Sequence, residues 1–202
     1  MGWRCFLIER TRFCRRSLRR FRRFTDVPSG HYCDVSVVIE AKFECPGDKN
    51  GRSTDIPGPW DNNPGWPLKC SCGYAFQPGD HRQVNEERLW KGAPERKIYP
   101  LRENPPGAMW VSDWFPQEGP NGEWTGPDGK VWCVMLPGGV EWIVYSYSSD
   151  TPRRKWSVQG EPPNITVSPS INQKGLYHGH IKNGVITDDV DGRKFPKWRS
   201  TA

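Results

Sequence analysis

No stretch of the 202-residue chain approaches the ~20 consecutive apolar residues that a bilayer-spanning helix needs. The earliest apolar run, Cys5-Phe6-Leu7-Ile8, is too short for the apolar core of a secretory signal. The sequence therefore predicts a soluble, cytoplasmic protein with no membrane partner. Hydrophobic residues are scarce, at 35%, which argues against a helical bundle. A P-loop and a G-x-G-x-x-G fingerprint are both missing, which argues against a nucleotide enzyme of those types. A Gly-x-Ser-x-Gly elbow is missing too, so a Ser-His-Asp hydrolase is not expected. The cysteines number seven, and an odd count argues against a fully paired disulfide framework. In a cytoplasmic protein they read as reduced thiols.

What the chain has in excess is glycine, proline and tryptophan. Gly and Pro together make up 41 residues, and there are 11 tryptophans. Short strands tied by many turns, with Trp supplying much of the buried area, suit that composition. The predicted fold is mainly β: an irregular antiparallel protein with many loops and one or two short helices.

Charge is uneven. Residues 1–23 carry nine arginines and one glutamate, net +8, so the remainder of this +6 chain is net −2. The high pI belongs to the N-terminus. A basic N-terminal segment over 1–24 and a single β-rich domain over 25–202 follow as the expected organisation. Within the segment, Cys14, Leu18 and Phe21 fall at spacings of four and three. That slightly favours a helix over an extended arm, since a strand would need Arg on both faces. Arg12, Arg15, Arg16, Arg19, Arg20, Arg22 and Arg23, interleaved with Phe13, Phe21 and Phe24, suit a phosphate backbone with stacking bases. The competing reading is a basic face that is simply solvated, or one paired with the mildly acidic body.

The candidate metal site centres on Lys69-Cys70-Ser71-Cys72-Gly73-Tyr74. Two thiols one residue apart, followed by a Gly able to take φ > 0, form half of a thiolate site. In Tyr177-His178-Gly179-His180, a strand would put His178 and His180 on one face. Two thiolates with one or two imidazoles would make a tetrahedral zinc site. Cys45 is a further candidate thiolate, and His31 with Cys33 a second candidate pair. Zinc is the expected cofactor, clamping the Pro- and Gly-rich loop from Cys45 to about residue 68. Trp60 and Trp66 are expected to pack that loop down.

Elsewhere, Trp3–Arg10 and Tyr32–Glu40 read as strands. Asp80 with Gln83 has the form of a capping box, so a helix is expected from there to Gly92. Residues 130–147 read as antiparallel strands turning at Pro137-Gly138-Gly139, with Cys133 in the core. Tyr177–Lys182 and Val185–Asp188 form a hairpin around Asn183-Gly184, a dipeptide suited to a type I′ turn.

Five stretches, Met1-Gly2-Trp3-Arg4-Cys5-Phe6, Cys70-Ser71-Cys72-Gly73-Tyr74, Pro105-Pro106-Gly107-Ala108-Met109-Trp110, Gly160-Glu161-Pro162-Pro163 and Tyr177-His178-Gly179, span most of the chain. In them the sequence resembles a family of small bacterial and phage proteins whose members often bear the label ammonia monooxygenase. The resemblance implies a phage or prophage origin and a shared fold. The expected role is a zinc-stabilised accessory protein, and the alternative is a metal-dependent enzyme, either a hydrolase with zinc-bound water or the oxygenase of the label. Its label would imply a metal-dependent oxygenase. In the family pattern, Cys and His often fall in the segment matching Ser148–Trp156, which here has neither. Position 180, usually aromatic in that pattern, is His here, which leaves His178 the better ligand candidate.

Overall fold

Antiparallel pairing dominates the computed structural model, which describes residues 2–22, 32–45, 51–55, 60–92, 98–119, 122–147 and 155–195. Among the described residues strands make up 51% and no helix reaches seven residues, so the fold is mainly β. Among the described residues the helical content is one 3-10 turn, Leu101–Glu103, and no helix is long and apolar enough to cross a membrane. Contacts divide the chain into two compact units, Met1–Glu9 with Trp90–Ala202, and Arg10–Leu89.

In the Arg10–Leu89 unit the arginine-rich segment is a long strand, Glu9–Phe21, not a helix. It lies centrally in its sheet, between Asp34–Glu44 on one side and His81–Lys91 on the other, with Gly51–Asp55 beyond the latter. Helical spacing lost because Arg on both faces is tolerable here. Carboxylates on both neighbouring strands meet the guanidiniums, and the register shifts around Arg16 let the strand twist. Leu18 is fully buried, packed with Trp66, Val84, Ile39 and Trp60. The two tryptophans thus pack the described 60–66 stretch of the loop against the sheet, and the Trp66 indole N–H donates to the Trp60 carbonyl at 2.7 Å.

The expected helix after Asp80 is the strand His81–Lys91. Asp80 does cap, but backwards. Its carboxylate accepts from the Gln77 amide at 2.6 Å and the Tyr74 hydroxyl at 3.1 Å, closing the turn before the strand. The Gln83 side-chain oxygen accepts from Arg19 across the sheet.

In the other unit, Ala108–Ser112, Val131–Leu136 and Val140–Ile143 form the expected antiparallel meander, with Phe6–Leu7 added in parallel to Ala108–Ser112. Cys133 is fully buried there, and burial pushes its thiol up to about 12, so it is an inert core residue. Trp90, Trp110 and Trp114 pack ring against ring, as do Trp142 and Trp156. Tryptophan therefore does supply the core, as the composition requires.

Ile181–Lys182 pairs with Val185–Ile186 around Asn183-Gly184, whose φ angles of 47° and 69° are those of a type I′ turn. A Cβ on Gly184 would lie 2.7 Å from the Pro163 carbonyl oxygen. Gly184→Ala should therefore cost at least about 1–2 kcal/mol from the left-handed backbone alone. Thermal melts of the two proteins check this, and coincident midpoints would contradict it.

Candidate metal centre

Cys70 and Cys72 sit on a tight hairpin. The Cys70 amide donates to the Tyr74 carbonyl at 2.8 Å, and the Gly73 amide to the Cys70 carbonyl at 2.9 Å. Lys69 and Ala75 bridge its base, and Gly73 holds φ 91°. A left-handed residue at that point lets two thiols one residue apart face one spot. Tyr74 and Phe76 pack beside Cys70, and Arg22 lies over the Tyr74 ring at 4.8 Å.

The third sulfur comes from Cys33, at the start of the Asp34–Glu44 edge strand. Its carbonyl accepts from the Arg22 amide at 2.9 Å, which holds Cys33 against the end of the arginine strand. The ligand atoms of Cys33, Cys70 and Cys72 all lie within 4.8 Å of one another, and the Cys33 and Cys72 sulfurs are 3.5 Å apart. A tetrahedral ion with metal–sulfur bonds of about 2.3 Å needs sulfurs about 3.8 Å apart. The trio already has nearly that spacing. Cys33 and Cys70 are buried and Cys72 is exposed, so one side of the cluster opens to solvent. Burial, then hydrogen bonds to Cys72 and Cys70, push the Cys33 thiol up to about 12. A bound cation reverses that preference, because it takes the place of the protons. These three cysteines can hold a metal ion.

The assembled set differs from the expected one. Cys70 and Cys72 come together as predicted, but Cys45 does not join them. Its sulfur is bonded to Cys14, in a disulfide tying the arginine strand to the end of Asp34–Glu44. Cys45 is thus corrected from candidate ligand to cross-link, and the expectation of reduced thiols fails for this pair. The other five cysteines are not in disulfides. No histidine belongs to the cluster, which is the one group of three or more ligand-type side chains at metal-binding spacing among the described residues. His178 and His180 belong to the other unit. The His178 ring nitrogens bond Asp191 and Ser170, at 3.1 and 3.2 Å. The His180 amide donates to the Thr187 hydroxyl at 3.0 Å, while burial and then Lys182 hold the ring's pKa below its usual value. His31 lies outside the described residues. Cys33 was visible in the sequence as half of the His31–Cys33 pair, but nothing local connects it to Cys70.

The arginines meet acids of the same sheet. Arg15 pairs with Glu87 at 2.8 Å, and Arg19 grips both carboxylate oxygens of Asp34. Arg16 joins Glu40 at 2.5 Å and Glu86 at 2.7 Å, with its guanidinium over Phe43 and Trp60. Arg20 is buried, donates to the Gln77 and Pro67 carbonyls, and covers Phe76. Arg12 is the most exposed of these and meets Glu44 at 3.5 Å. Arg22 covers Tyr74, and Arg23 lies outside the described residues. The described arginines of the strand thus have intramolecular partners. Comparison with protein-family models, with curated proteins and with solved structures gives no match for this chain.

Proposed function

We propose that this chain is a zinc-stabilised β protein that serves as a binding or accessory factor, of the phage or prophage kind that its sequence resemblance implies. The observation that carries the reading is the convergence of three sulfurs from two distant segments, Cys33 beside the arginine strand and Cys70 with Cys72 on the loop hairpin. A metal there clamps the proline-rich loop to the sheet edge.

Soft thiolates favour zinc or Cu(I), whereas an oxygen-activating copper site is more typically built of imidazoles. That donor set favours a structural zinc role over the oxygenase that the family label would imply. For nucleic acid, the pairing of the arginines leaves a smaller free basic surface than the sequence promises. Exposed Arg12 is the strongest remaining contact candidate.

Elemental analysis of protein purified without added metal tests the reading. One equivalent of zinc is expected in the wild type and a marked loss in Cys72→Ser, with a lower unfolding midpoint in the same variant. Affinity should fall with acid, because the ligand thiols must lose their protons to bind. Full-strength folding of metal-free Cys72→Ser protein would contradict it.

A further inference from the structure

The Ile171–Gln173 and Tyr177–Gly179 strands pair antiparallel, with Asn172 opposite His178. The turn between them is closed by the Leu176 amide donating to the Gln173 carbonyl at 2.8 Å. This hairpin puts Ser170, one residue before its first strand, beside His178 on its second. The His178 Nε2 atom lies 3.2 Å from the Ser170 hydroxyl oxygen, and Nδ1 lies 3.1 Å from the Asp191 carboxylate.

The order of donors follows from the chemistry of the three groups. An ionised carboxylate only accepts, so Nδ1 carries the proton and donates to Asp191. In the neutral ring Nε2 is then an acceptor, and the Ser170 hydroxyl must donate to it. That is the tautomer a histidine base needs if it is to take a proton from serine.

The surroundings hold this arrangement in place. The His178 amide donates to the buried Asp189 carboxylate at 2.8 Å, and the Val190 amide to the His178 carbonyl at 2.7 Å. Asp189 also receives the Arg193 amide and guanidinium. Burial alone would raise its pKa, but these donors outweigh it and keep the carboxyl below the usual range. Arg193 in turn pairs with the second oxygen of Asp191 at 2.9 Å, so the carboxylate that faces the ring is itself anchored. Trp156, buried in the core, reaches the Ser170 carbonyl through its indole N–H.

We propose that Ser170, His178 and Asp191 form a nucleophilic hydrolase site that acts on small carboxylic esters. It lies in the unit that does not contain the metal centre, and it does not depend on the metal reading. The missing Gly-x-Ser-x-Gly elbow excludes only one scaffold for such a site. Triads are recognised by geometry and roles, and their order along the chain varies between folds. Ser170 attacks the ester carbonyl carbon through Oγ while its proton passes to His178 Nε2. The carbon–oxygen bond to the alcohol breaks, and the alcohol leaves with that proton, giving acyl-Ser170. Water then attacks the acyl carbon and gives its proton to Nε2. The acid departs, and the proton returns to Ser170 Oγ. Ser170 and His178 are the catalytic residues, and Asp191 is a positioning residue. His178 is partly exposed, at 23%, and Asp191 more so, at 44%. An open site of this kind suits a small substrate that needs no deep cavity.

The test uses the full-length protein with diisopropyl fluorophosphate and 4-nitrophenyl acetate. One adduct is expected on Ser170 by peptide mass mapping, together with esterase turnover that Ser170→Ala abolishes. Asp191→Asn should favour the wrong ring tautomer and lower kcat by at least about 100-fold with KM little changed, a split that a purely structural role would not give. His178→Gln should remove both labelling and turnover, with folding checked by circular dichroism. If either of these two variants misfolds, Ser170→Ala decides alone. An unlabelled wild type, an adduct elsewhere, or equal turnover in Ser170→Ala would overturn the proposal.

Discussion

Cys33→Ser should abolish stoichiometric zinc binding and lower the stability of the Arg10–Leu89 unit, while His178→Ala leaves the zinc content unchanged. The contrast follows from which side chains the fold brings together. The Cys33 sulfur is 3.5 Å from that of Cys72, and the cluster closes without a histidine. Zinc that binds only the folded state adds its binding free energy to folding, and in zinc-finger peptides that energy is about 10–16 kcal/mol. Here the surrounding sheet has its own apolar contacts through Leu18, Val84 and Trp66. The loss should therefore be partial, on the order of 3–5 kcal/mol at saturating zinc. Denaturant melts with and without a chelator measure it. The chelator should destabilise the wild type strongly and Cys33→Ser hardly at all. Zinc retained at one equivalent in Cys33→Ser, and lost in His178→Ala, would restore the ligand set that the sequence suggests.

Arg16→Met should destabilise the protein by about 2–4 kcal/mol, a figure set at or below that for breaking a buried ion pair because these groups keep some solvent contact. The Arg16 and Glu86 side chains are only 17% and 15% exposed. Removing the guanidinium leaves Glu86 half-buried without this cation and strips the contacts with Phe43 and Trp60. Arg16→Met combined with Glu86→Gln should recover much of the loss, since no charge is then stranded. If Arg16 were instead kept for nucleic acid, the single variant would melt like the wild type and bind nucleic acid more weakly. The steep salt dependence of such binding would make the difference plain.

How far the sequence speaks for the structure depends on the distance between partners. The Asn183-Gly184 turn was legible because its φ angles are local properties of two adjacent residues. So was the Cys70–Cys72 turn, where Gly73 supplies the backbone that brings two near neighbours to one spot. The meander through Val131–Leu136 was legible from alternation and turn residues alone. The arginine strand was not, because an i, i+4 stripe of Cys14, Leu18 and Phe21 says nothing about Glu40, Glu86 and Glu87 waiting on the two flanking strands. The same gap misplaced Asp80, whose carboxylate serves the turn behind it instead of a helix ahead. Cys33 joined Cys70 and Cys72 only through sheet pairing, and Cys45 found Cys14 across the same strand pair. Ser170, His178 and Asp191 are close in the chain, but a β-hairpin and the Asp189-centred turn were needed to line them up.

X-ray absorption at the zinc edge of the purified protein is the most direct test of the metal centre. Three sulfur neighbours at about 2.3 Å are expected in the wild type and fewer in Cys33→Ser. A first shell of nitrogen and oxygen only, or protein that folds fully with no bound metal, would contradict a thiolate zinc clamp.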